Sequence, residues 1–139
     1  MSAASNYLEN KVLDHTLRNT AYTQPAGLWL ALCNNTSTAT AANLEAGTLT
    51  DETSTSGTAY ARKTISFNAS SGGTATSAAT VTFDAATANW GTITHIAIMD
   101  SATAGAGNVL YWGALTTSKL IETGDTMQFV STNVSVSLA

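Results

Sequence analysis

Two histidines, one cysteine and nine carboxylates are the groups from which this 139-residue chain could build acid–base, nucleophilic or metal chemistry. His15 adjoins Asp14, but neighbours on a helix diverge by about 100°, so the carboxylate cannot orient the imidazole as a base. His95 lies in the strand-like run "TITHIAIM", where a lone histidine packs or hydrogen-bonds more often than it ligates. One cysteine and two distant histidines cannot supply the ligand spacing of a zinc site. No Gly-x-Ser-x-Gly, P-loop or complete Gly-x-Gly-x-x-Gly occurs, and "GAGN" at 105–108 is a turn holding only a fragment of the last.

The carboxylates are scattered. Asp51 and Glu52 fall in a polar stretch, Asp84 and Asp100 follow strand-like runs, and Glu122 and Asp125 flank a turn. Acidic residues so placed bond to nearby backbone, and their spacing matches no EF-hand loop. The Asn-x-Ser/Thr triplets at Asn34, Asn35, Asn68 and Asn133 are chance matches in a Ser/Thr-rich chain without a secretion signal. The expectation is therefore no enzyme, no cofactor, no metal and no small-molecule substrate.

Charge points the same way. Only 10% of residues are charged, the net charge is −4, and the five basic residues Lys11, Arg18, Arg62, Lys63 and Lys119 are dispersed. Neutralising a phosphate backbone needs clustered Lys and Arg, so nucleic acid is not an expected partner. No apolar stretch approaches a membrane span, and "MSAASNYLEN" lacks a signal peptide's basic and apolar regions, so synthesis in a cytoplasm without export by this route is expected. Solubility rests on hydroxyls, which suits a surface that sits against other subunits. Cys33, inside an apolar run, reads as a small core hydrophobe.

The elements that would carry these residues form one domain over 1–139. Asn6 can cap a helix of about 6–19, with Glu9 reaching back, and the helix aligns Leu8, Val12, Leu13 and Leu17 opposite Lys11, Asp14 and Arg18. Asp14 and Arg18, four apart, read as a solvated pair. "LWLALC" is apolar on both faces and reads as a central strand, with the preceding helix as one candidate cover; deleting 1–20 should then expose that face. Residues 34–58 are too polar for core and too long for a simple turn, so they read as an exposed arm or long loop. "AYARKTISF", "ATVTF", "TITHIAIM", "NVLYWGAL", "TMQFV" and "NVSVSL" alternate as strands between turn signals. The expected fold is mainly β, an antiparallel β-sandwich with one N-terminal α-helix, and a closed barrel is its rival.

Contact residues are expected where aromatic groups alternate. Tyr111 and Trp112 point to opposite sides of their strand, so one of them can meet another subunit if both sides are apolar. Asp51, Glu52 and Thr53 are the contact residues expected in the arm.

The run "ATANWGTITHIAIMDSA" followed by "LYWGALTTSKLIETGDTMQF" resembles a family of small tailed-bacteriophage proteins. The shared positions are Trp90, Gly91, Thr92, Thr94, His95, Asp100, Gly113, Leu115, Lys119, Gly124 and Asp125, and "LENKVLDHTLRNTAYT", "LWLALCNN" and "YARKTISF" resemble its other segments. Such proteins are labelled tail-fibre-like or head-decoration proteins, so the resemblance implies a virion structural role without catalysis. The leading expectation is a capsid decoration, or cement, protein on the outer head surface, binding the major capsid protein and copies of itself in a homo-oligomer such as a trimer. The alternative is a tail or tail-fibre component used in host adsorption. The shared motifs look like turns and strand ends: Trp90-Gly91 fits a tight lead-in to a strand and Gly124-Asp125 a hairpin turn.

Overall fold

The computed structural model describes residues 2–138. Its elements in chain order are β1 (Ser2–Ala4), α1 (Asn6–Leu17), β2 (Trp29–Cys33), α2 (Thr40–Glu45), β3 (Lys63–Thr64), β4 (Thr74–Thr76), β5 (Val81–Thr82), β6 (Gly91–Met99), β7 (Val109–Ile121), β8 (Gln128–Phe129) and β9 (Ser135–Ser137). A five-stranded antiparallel sheet runs β1-β7-β6-β2-β3, and two short antiparallel ribbons, β4-β9 and β5-β8, supply further strands. The fold is mainly β with an N-terminal helix, and the described strands close no barrel.

Strand alternation divides the sheet's apolar residues between two cores. Leu30 and Leu32 of β2 pair with Ile98 and Ile96 of β6 and turn to one side. There they pack with Tyr60, Val81, Phe83, Trp90, Met127 and Val136 in the main core. Its aromatic centre is tight: the Trp90 ring meets Tyr60 edge-on at 5.5 Å and Phe83 at 6.2 Å. Trp90 also satisfies its buried indole by donating from Nε1 to the Thr58 carbonyl at 2.8 Å. Ala31, Cys33 and Ala97 turn to the other side, where Leu44 of α2 caps them together with Leu49 and Trp112. The doubly apolar strand is thus covered on both faces as its sequence requires, but its second cover is α2 and not the preceding helix.

Two irregularities shape the long β6–β7 pair. Pairing shifts between Ile98↔Tyr111 and Met99↔Val109, so Leu110 is an extra residue on β7, and it packs with Ala4 and Leu8. A larger shift lies between Ile93↔Lys119 and His95↔Ala114, where residues 115–118 face Thr94 alone. Beyond it the facing of β6 is inverted: Ile93 enters the same core as Ile96 and Ile98, which simple alternation forbids. Gly91 opens β6 at φ +81°, a left-handed conformation that fits the tight lead-in expected after Trp90. Gly124 also has positive φ, yet the turn it makes is not a hairpin, because β8 pairs with β5 and not with β7.

Two expectations need correction. The helix is capped by Ser5, whose Oγ accepts from the Leu8 N–H at 3.3 Å, rather than by Asn6. That hydroxyl also donates to the Val109 carbonyl, tying the helix start to β7. Of the helix's apolar residues only Leu8 is buried, while Val12, Leu13 and Leu17 are 41%, 52% and 77% exposed. The helix therefore stands at the edge of the sheet and covers only the corner formed by Ala4 and Leu110. The second correction concerns 34–58, which is no free arm. It contains α2, bridges Cys33 to Glu52 alongside β2, and buries Thr40, Leu44, Asp51, Thr53 and Thr58. Hydroxyls and carboxylates entered the interior because each found a partner there, which is the condition for burying polar groups.

Candidate interaction surface

The acidic residues expected to touch a partner are instead spent inside the fold. Asp51 accepts from Ser37 Oγ at 2.7 Å, from Thr36 Oγ1 at 3.1 Å, from the Ser37 N–H at 3.3 Å and from Thr40 Oγ1. Burial alone would raise its pKa, but the donors from Thr40, Ser37 and Thr36 outweigh it and hold the carboxyl below its ordinary value. Its carboxylate organises the start of α2. Thr53 donates to the Leu32 carbonyl at 3.2 Å and is likewise buried.

Glu52 forms a two-pronged pair with Arg62, Nε to Oε1 at 2.7 Å and Nη2 to Oε2 at 2.8 Å. Their side chains are 7% and 0% exposed. The remaining Arg62 nitrogen donates to the carbonyls of Ser101 and Ala106 at 2.7 and 2.9 Å, so this guanidinium fastens the β6–β7 loop to the segment before β3. Tyr60 donates its hydroxyl to Glu52 at 2.9 Å and accepts from the Leu32 N–H at 3.0 Å. Burial, then the adjacent carboxylate, pushes the Tyr60 phenol far above its ordinary pKa. Every polar atom in this cluster points at another, leaving none to meet a substrate. Nothing in the local sequence of Arg62, inside the alternating "AYARKTISF", signals a bond to Glu52 ten residues earlier.

His95 lies on the sheet face opposite the main core, its ring 6.1 Å from that of Trp112 and its Nδ1 2.8 Å from Thr94 Oγ1. Burial lowers its pKa, with Asp51 opposing. Among the described residues no three His, Cys, Asp or Glu side chains gather in a way that could hold a metal ion.

The two aromatic candidates have different fates. Trp112 packs against the α2 core and donates from Nε1 to Glu45 Oε2 at 2.9 Å, so the protein's own helix is its neighbour. Tyr111, half-buried on the other side, lines two hollows. One of about 150 Å³ is walled by Ile96, Ile98, Leu115 and Phe129, with Thr116 and Asn133 also lining it. The other, about 390 Å³, lies against α1 and is lined by Ala4, Leu8, Val12, Leu13 and Leu138 beside Tyr111. Tyr111 borders both: the first mixes polar and apolar lining, and the second, against α1, is predominantly apolar. Of the six large apolar side chains that stand exposed among the described residues, four (Val12, Leu13, Leu17 and Leu138) belong to this end of the molecule. The sequence points to Tyr111 through its alternation with Trp112, but the helix stripe points Val12, Leu13 and Leu17 toward the sheet, and the alternation of "NVSVSL" places Leu138 with Val134 and Val136, which are buried while Leu138 is exposed.

Residues 3–137 match the model of the family described as Podophage GP4 fiber I protein gp80. None of the curated proteins matches the chain.

Proposed function

The chain belongs to the Podophage GP4 fiber I protein gp80 family, a family of phage virion structural proteins, and from that premise we propose that it is a non-catalytic building unit of a virion fibre. The observation that carries this reading is the pairing of a closed polar interior with an apolar hollow against α1 at one end. The buried ionisable groups Asp51, Glu52 and Arg62 bond to each other, to hydroxyls and to backbone, whereas four of the six exposed large apolar side chains among the described residues stand on or beside α1. That division suits a part whose work is adhesion.

The cement reading, with the head lattice and major capsid protein as partners, rests on low charge, the lack of a catalytic constellation, a rigid β domain and a polar arm able to order on a neighbour. With 34–58 folded onto β2 the arm no longer supports it, and the other three features favour neither location. Quantitative mass spectrometry of purified particles, combined with electron cryomicroscopy of the virion, tests the proposal. Density at the tail with a low copy number per particle supports it. High copy number spread over the head surface refutes it in favour of decoration, and turnover of host envelope polysaccharide by the isolated protein refutes the non-catalytic part.

A further inference from the structure

We propose that the hollow of about 150 Å³ between β7 and β9 is a binding site for one neutral sugar unit, which is held there and not turned over. This goes beyond the fibre reading and holds wherever on the virion the protein resides. Residues 113–116 of β7 and 133–136 around β9 line the hollow, together with Ile96 and Ile98 of β6. At about 30 Å³ per water it has room for about five, the space of a single small ring. Pockets for drug-sized ligands are larger, roughly 300–1,000 Å³.

The lining selects the class of ligand. No Asp, Glu, Lys, Arg or His is among the lining residues, so a charged ligand would lose its water without gaining an opposite charge. The chain's net charge of −4 repels anions in addition. Without a carboxylate the hollow has neither acid nor nucleophile for glycosidic cleavage, so the ligand leaves as it entered. Two kinds of surface converge there. Tyr111 and Phe129 are half-buried and offer aromatic rings, while Thr116, Asn133 and Ser135 are exposed and bring two hydroxyls and an amide. Around Asp51 the polar side chains bond inward, but the side chains of these three residues and the Tyr111 hydroxyl bond no other described residue. An apolar occupant would leave the half-buried Tyr111 hydroxyl without a partner. A sugar ring answers both surfaces: its C–H face lies against the aromatic side, and its edge hydroxyls donate and accept as the amide and hydroxyls do. One such unit, with so few contacts, binds at about the millimolar level, and repeated copies on a particle would multiply it by avidity.

Nuclear magnetic resonance of the full ¹⁵N-labelled chain, titrated through the millimolar range with glucose, galactose, mannose and N-acetylglucosamine, tests the site. At least one sugar is expected to give saturable amide shifts centred on residues 113–116 and 133–136. Host envelope polysaccharide, added in a second series, separates the sources: competition for the same shifts assigns a sugar held in a chain, its absence a free sugar, and either supports the site. Asn133→Ala and Tyr111→Phe should each weaken binding roughly 3–10-fold, the loss of one neutral hydrogen bond, with an unchanged melting temperature. Asn68→Ala, outside the hollow, should leave binding as it is. No saturable shift with any sugar or with the polysaccharide overturns the proposal. So do shifts confined to other parts of the chain, or binding unaltered in both hollow variants.

Discussion

Replacing Arg62 by Ala removes one half of a pair whose side chains are 0% and 7% exposed. Two charge-assisted bonds to Glu52 disappear, together with two bonds to the carbonyls of Ser101 and Ala106. The Glu52 carboxylate stays behind, with only the Tyr60 hydroxyl at 2.9 Å and the Gly105 N–H at 3.2 Å as donors. Stranding one charge of a buried pair costs about 3–5 kcal/mol, against about 0–1 kcal/mol for breaking an exposed one. For a chain of this length that loss lowers the melting temperature by roughly 10–20 °C. Urea titration followed by tryptophan fluorescence gives the free energy directly, since Trp90 is buried in the main core. Arg62→Met with Glu52→Leu should recover much of the loss, because no charge is then stranded, and the double-mutant cycle isolates the coupling. An Arg62→Ala protein within about 1 kcal/mol of wild type would refute the reasoning. It would mean that water reaches Glu52 in solution and that the cluster does not bind the β6–β7 loop to the body.

Asp51, with its pKa held down in the fold, stabilises the native state fully above the unfolded carboxyl pKa of about 3.9, and that contribution is lost as pH falls through the lower folded value. Denaturation curves between neutral pH and about pH 2 should therefore fall less steeply for Asp51→Asn than for wild type in that acid window, and equal slopes would contradict the assignment. Cys33, its thiol pushed up to about 12 chiefly by burial, should resist a water-soluble disulfide reagent in the native state and react fully in urea; fast native labelling would contradict the burial. Gly107→Ala should destabilise by about 1–3 kcal/mol, since the residue sits at φ +81° and a Cβ would meet Ser101 Cβ at 2.5 Å and Asp100 Oδ1 at 2.6 Å. Thermal melts that match wild type would show that the β6–β7 loop yields without cost.

The strands that were legible in the sequence are those where one physical rule acts alone. "LWLALC" and "TITHIAIM" are long, β-branched or doubly apolar, and became β2 and β6. "AYARKTISF" alternates as well, yet only Lys63–Thr64 forms a strand, with Phe67 bridging separately to Ser77 and Arg62 turned to meet Glu52. In the segment 34–58 polarity does not mean exposure. Its serines and threonines bond Asp51 and the β2 backbone, and a one-dimensional reading cannot see a partner that arrives by folding. The helix is the opposite case, since its apolarity does not mean burial and most of its stripe faces outward. At the surface site, alternation identified Tyr111 and Trp112 as an opposed pair, but which of them α2 would seal depended on Glu45, 67 residues away from Trp112.

The four-against-one mismatch opposite Thr94 gives the β6–β7 arm a built-in expansion joint. Pairing on either side of it is set independently, by Gly91–Ile93 with Lys119–Ile121 below and by His95–Ile98 with Tyr111–Ala114 above. Residues 115–118 can then lengthen, shorten or change character without dragging either ladder out of step, and three of the four are already solvent-facing. A lineage in need of a new recognition tip would find there a place to vary while its frame stays still.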